Sequence, residues 1–114
     1  MLAVYGIKNC DTVKKALKWL DAEKIAYTFH DLRSDGLTLE TARRWVDALG
    51  WESALNRRST TWRALPQSDK LDLDPARAAA LLVRHPTLAK RPVFEKNNMI
   101  INGFTDCVRA ELAP

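Results

Sequence analysis

The sequence has 114 residues, 46% of them hydrophobic and 28% charged, which predicts one soluble globular domain large enough to bury a core of its own. No apolar run approaches the length of a membrane span, the N-terminus enters strand-like sequence with no leader pattern, and two cysteines are too few for a disulfide scaffold, so a reducing, cytoplasmic setting is expected. A net charge of +4 favours anionic partners, but no basic run exceeds two residues, so neither nucleic acid nor a membrane surface is indicated.

Leu2 to Tyr5 reads as a short strand that Gly6 ends. From Thr12 onward, Val13, Ala16, Leu17 and Leu20 fall on one helical face, with Lys14, Lys15 and Lys18 on the other. Ile25 to Asp31 is the next strand, so the first thirty or so residues form a βαβ unit with parallel strands. Ser34-Asp35-Gly36 is a turn, and Thr38 caps a helix with Leu39, Ala42, Trp45, Val46 and Leu49 on one face, stopped by Gly50. Ser53 to Leu55 and Thr60 to Leu65 read as short helical pieces joined by Asn56-Arg57-Arg58-Ser59. Asp74-Pro75 opens a helix carrying Ala78, Leu81 and Leu82 that lasts until Pro86. Val93 to Glu95 and Met99 to Ile101 flank the polar turn Lys96-Asn97-Asn98 as a β-hairpin. After a turn at Asn102-Gly103, Thr105 or Asp106 caps a last helix carrying Val108 and Leu112.

The order βαβ, helical middle, ββα predicts an α/β fold: a four-stranded mixed sheet of thioredoxin-like plan with an inserted helical subdomain. Residues 1–36 and 90–114 would form the thioredoxin-like core and residues 37–89 the insertion, within a single domain.

Cys10 stands where the first loop becomes helix. The free N–H groups of a helix start favour an anion, and Lys8 and Lys14 add positive charge, so a nucleophilic thiolate is expected there. The pattern is Cys-x-x-Val, so no second cysteine lies one helical turn away. Pro92 opens a strand; in thioredoxin-like sheets a cis proline occupies that entrance and faces the cysteine loop, which would aim Arg91 at Cys10 as an anion clamp. Cys107 lies near the start of the last helix, at the Cys10 end of the sheet, and could act as a resolving thiol or simply face the core. Trp19, Trp45, Trp51 and Trp62 read as packing residues. His30 and His85 are isolated and the cysteines far apart, so no metal is expected; nor is there a phosphate-cradling glycine loop or a Ser/His/Asp set.

Tyr5-Gly6-Ile7-Lys8-Asn9-Cys10-Asp11-Thr12, Thr60-Thr61-Trp62-Arg63, Lys90-Arg91-Pro92 and Gly103-Phe104, in this order, resemble the ArsC/Spx family and specifically its YffB-like branch. The resemblance implies a loop cysteine that attacks arsenate in the family's reductases, with glutathione and then glutaredoxin completing the reduction and three arginines holding the oxyanion. By motif Cys10 matches the nucleophile, Arg58 the first arginine and Arg91 the second. The third arginine falls at Gly103, and the histidine before the reductases' cysteine loop falls at Gly6, so both are missing here. The Spx regulators of the family bind the RNA polymerase α-subunit and carry a Cys-x-x-Cys switch, whose second cysteine is Val13 in this chain.

The expectation is therefore a monothiol, glutathione-dependent oxidoreductase with Cys10 as nucleophile. Arg58, Arg91, Asn9 and Lys8 would bind substrate, with Pro92 cis beside them and Cys107 as the candidate resolving thiol. Glutathione would be co-substrate, with no bound cofactor or metal. The substrate would be a small thiol or oxyanion and glutaredoxin a further partner, for a monomer that binds neither nucleic acid nor membrane. An Spx-like regulator and an arsenate reductase proper are the alternatives.

Overall fold

A four-stranded sheet in the order β2-β1-β3-β4 organises both ends of the chain in the computed structural model, which describes residues 1–113. Strand β1 (Leu2–Gly6) is followed by helix α1 (Asp11–Ala22) and by β2 (Tyr27–Asp31), which pairs with β1 in parallel. Strands β3 (Val93–Lys96) and β4 (Met99–Asn102) form the hairpin, and β3 lies antiparallel to β1. Helix α8 (Asp106–Leu112) follows β4.

The alternation in β1 explains the layering. Leu2, Val4 and Gly6 are buried while Ala3 and Tyr5 are half-buried. Leu2, Val4 and Phe94 of the sheet pack with Ala16 and Leu20 of α1 and with Val108 and Leu112 of α8, so both helices cover one sheet face. Both helices place their apolar side chains at the i, i+3, i+4 spacing that makes one face. The architecture is the α/β, mixed-sheet, thioredoxin-like fold that the element order predicts.

Between the strands of the two halves lie α2 (Leu32–Asp35), α3 (Leu39–Leu49), α4 (Trp51–Ala54), α5 (Thr60–Ala64), α6 (Gln67–Lys70), α7 (Pro75–Arg84) and a 3-10 turn (Pro86–Leu88). Contacts group the chain into two compact units, Met1–Leu32 with the segment from Arg91 onward, and Arg33–Lys90. The second unit has its own core: Ala42, Trp45 and Val46 of α3 and Ala78, Ala79, Leu81 and Leu82 of α7 are buried, as are Ala54, Leu55 and Leu88. No helix among the described residues is long and apolar enough to cross a membrane.

Capping follows the sequence closely. Thr38 accepts from the Thr41 N–H at 3.2 Å, Asp74 from Arg77 at 2.8 Å, and Thr105 from Val108 at 3.3 Å. Thr105, not Asp106, is thus the last cap. Gly50 ends α3 with φ +80°, a left-handed value that suits glycine.

Elsewhere the boundaries move for local reasons. β2 begins at Tyr27 and not Ile25, because the Ile25 N–H returns to the Leu20 carbonyl at 3.0 Å and so still serves the end of α1. Residues Leu32–Asp35 form a helical turn, leaving only Gly36 as the expected bend. Helix α6 was not expected; it is held by Arg77, whose guanidinium donates to the carbonyls of Leu71 (2.7 Å), Asp72 (3.2 Å) and Ser68 (3.3 Å). The hairpin turn is only Asn97-Asn98, since Asn97 takes φ +56° and lets Lys96 and Met99 pair.

Candidate active site at one end of the sheet

Strand polarity decides what meets the cysteine loop. β1 runs toward the loop, and because β3 is antiparallel its entrance lies at the same end of the sheet, with Tyr5 opposite Val93. The residues next along are Gly6 on β1 and Pro92 before β3. The Arg91–Pro92 peptide bond is cis, Pro92 is buried, and its carbonyl accepts the Gly103 N–H at 2.9 Å. Arg91 is half-buried immediately before it. Loop, cis proline and arginine thus share one sheet end on adjacent strands.

Cys10 is the N-cap of α1. Its backbone is extended (φ −123°, ψ 121°), and its carbonyl accepts the Lys14 N–H at 2.9 Å, which starts the helical ladder. The side chain makes no capping hydrogen bond. It is a free thiol, half-buried, between exposed Asn9 and exposed Asp11. Lys8, Lys14, Lys15 and Lys18 are also exposed, and none forms an ion pair among the described residues, so their field acts on whatever approaches the loop.

A contact that sequence reading missed brings loop and helix together. A Cβ on Gly6 would stand 2.7 Å and 3.0 Å from the two γ-carbons of Val13, closer than real side chains approach. Val13 is fully buried and seats the first turn of α1 directly on the end of β1. The only sequence signal for it is a glycine at the strand end with a β-branched residue seven positions on. Tyr5, on the opposite face, stacks on His30 with ring centroids 4.7 Å apart, which gives that histidine a packing partner.

Cys107 is the second residue of α8, and its side chain is exposed and not core-facing. β4 runs parallel to β1, so both strands lead toward the same sheet end, with β3 between them. Arg58 belongs to the helical unit. It is exposed, in the loop between α4 and α5, and its backbone N–H donates to Asn56 Oδ1 at 3.1 Å.

A model of the ArsC family matches residues 5–108 of this chain. The chain belongs to the ArsC family. An uncharacterized protein of Haemophilus influenzae is 46% identical over 106 residues, 93% of each chain. The solved structure of a protein called YffB superposes with a TM-score of 0.95 at 43% identity over the full length of both chains. An arsenate reductase (ArsC) related protein from Brucella melitensis matches with a TM-score of 0.77 at 43% identity, covering 96% of this chain and 92% of that one. The kinship is therefore with arsenate reductase-related proteins, including YffB.

The two glycines that the resemblance sets against a histidine and an arginine differ in their surroundings. Gly6 sits against Val13, so no side chain fits there while Val13 keeps its place. Gly103 has φ +81°, and space around it is open, so conformation and not crowding is what disfavours an arginine.

Proposed function

We propose that this ArsC-family protein is a monothiol, glutathione-dependent thiol oxidoreductase with Cys10 as its nucleophile. The observation that carries the reading is the position of Cys10, a half-buried free thiol at the start of α1, at the sheet end shared with Arg91 and cis Pro92. Val13, where a local resolving cysteine would have to stand, is fully buried.

The chemistry follows as two thiol exchanges. The Cys10 thiolate attacks the glutathionyl sulfur of a mixed disulfide, forming a Cys10–glutathione disulfide and expelling the substrate as its thiolate. A second glutathione thiolate then attacks the same glutathionyl sulfur, releasing glutathione disulfide and returning the Cys10 thiolate. In sum one free glutathione is consumed: the substrate leaves as its thiolate and the glutathionyl group of the mixed disulfide ends in glutathione disulfide, with Cys10 regenerated and no bound cofactor or metal in the cycle. Arg91 and Arg58 would hold carboxylates through charge-assisted hydrogen bonds, with Lys8 and Asn9 contacting the substrate from the loop. Cys107 has no step to perform in this scheme. Gly6 and Gly103 leave the histidine and third arginine of the reductases without counterparts, which favours disulfide over arsenate as the substrate.

Mass spectrometry after incubation with oxidised glutathione tests the reading. One glutathione adduct on Cys10 is expected, absent in Cys10→Ser and undiminished in Cys107→Ser. Full turnover by Cys10→Ser would overturn it.

A further inference from the structure

The sheet end away from Cys10 carries a pocket of about 270 Å³, lined within the unit formed by Met1–Leu32 and the segment from Arg91 onward. We infer that this pocket binds a small amphipathic monocarboxylate, its apolar body on the floor and its carboxylate held by Lys24 and Lys96. The inference stands apart from the thiol chemistry, because β1 begins at this end and leads away to the cysteine loop at the other.

The floor is the edge of the core. Leu2 and Leu112 are buried members of that core, and Ile25 and Met99 pack against it half-buried. Lys24, Lys96 and Glu111 stand exposed around these four, so the rim carries two cations and one anion. None of the three forms an ion pair among the described residues, which leaves both ammonium groups available to a ligand.

Both lysines occupy positions whose local physics asks for another residue. Helix α1 ends in a Schellman turn: the Ile25 N–H donates to the Leu20 carbonyl at 3.0 Å and the Lys24 N–H to the Asp21 carbonyl at 3.2 Å. That turn sets Lys24 at φ +57°, in the left-handed region where glycine is the usual choice. Lys96 lies two residues after Phe94 on β3 and pairs with Met99. Strand alternation therefore puts it on the helix-covered sheet face, where an apolar side chain is the rule. Such departures from local preference are expected where function sets the residue, and here two of them line one pocket.

The lining also selects the chemistry of the ligand. Four apolar side chains offer nothing to an inorganic anion, and two ammonium groups offer nothing to a hydrocarbon, so only a molecule with both a tail and a charge uses the whole pocket. Glu111 disfavours a second negative charge, hence one carboxylate and not two. The carbonyls of Trp19, Leu20 and Asp21 at the end of α1 already accept the N–H groups of residues 23–25, so they are not left facing an anion. The volume is just under the roughly 300–1,000 Å³ of small-molecule sites, which suits one short chain or ring.

The test follows backbone amide NMR shifts of the whole, reduced protein on titration with octanoate, octanamide and acetate. Saturable shifts at residues 24–26, 96–99 and 111–113 are expected with octanoate. Octanamide has the tail without the charge and acetate the charge without the tail, so each should bind at least about tenfold more weakly. Glycine suits φ +57° better than lysine does, so Lys24→Gly removes an ammonium group without unseating the turn. That variant and Lys96→Ala should each raise the Kd for octanoate about three- to tenfold, with the shifts still centred on the same residues. Equal binding of octanamide or of acetate would overturn the assignment. So would octanoate shifts that never saturate or that centre elsewhere, or a parental Kd in both variants.

Discussion

The pairing of Gly6 with Val13 is the smallest feature on which the site depends. Neither residue advertises it, because the glycine reads as a strand terminator and the valine as one more apolar helix position. Their contact exists only once α1 folds back on β1, where the absent Cβ leaves room for two methyl groups. Adding that Cβ should cost about 1–3 kcal/mol by overpacking. In chemical denaturation Gly6→Ala is expected to be destabilised by that amount, and Val13→Ala by its cavity. The double variant should be more stable than the sum of the two by at least about 0.5 kcal/mol, since each substitution relieves the other. Simple additivity would show that the two side chains do not share the space. Cys10 itself was legible, because a cysteine between strand and helix is a pattern, whereas its lack of a capping hydrogen bond is a matter of rotamer and could not be read.

At the scale of elements, helix starts were legible because the caps are local chemistry: one oxygen and one N–H three residues on. Replacing Asp74 with Ala removes the acceptor for Arg77 and should cost about 1 kcal/mol, read as a lower denaturation midpoint with unchanged slope. Helix α6 was not legible, because its anchor, Arg77, comes from α7 and reaches back to carbonyls five to nine residues earlier. Strand β2 carries a pH dependence of its own. Burial, then a hydrogen bond to Asp21 and the charge of that carboxylate, raise the Tyr27 hydroxyl above its ordinary value of 10.0. A raised folded value means that the contribution of Tyr27 to stability is intact below the unfolded value and is lost as pH climbs past it toward the folded one. Thermal melts from neutral to strongly alkaline pH should show a decline above 10 that is shallower in Tyr27→Phe. An identical decline in the two proteins would remove Tyr27 as its source.

For the whole molecule, the sheet face packed by α1 and α8 is the core of one unit, and Phe94 is its largest buried side chain. Phe94→Ala should cost about 3–5 kcal/mol, a large part of the roughly 5–15 kcal/mol that holds a domain of this kind folded, read as a large drop in the denaturation midpoint. The net charge of +4 and the unpaired lysines around the cysteine loop should steer anions. The rate of Cys10 adduct formation with oxidised glutathione is therefore expected to fall several-fold between about 0.05 and 0.5 M salt, while a neutral disulfide changes little. Equal salt responses would mean that charge does not select the partner. By itself the sequence determined the order of the strands and of the longer helices, the caps, the hairpin and the position of the cysteine, since each is set by contacts among near neighbours or by a period along the chain. The course of β3 beside β1, which brings cis Pro92 and Arg91 to the loop, was expected only through the thioredoxin-like plan, because no local pattern along the chain encodes it. Only the tertiary structure decided that Val13 fills the space above Gly6. Those are pairings between separate elements, and a chain's local pattern does not contain them until packing selects one.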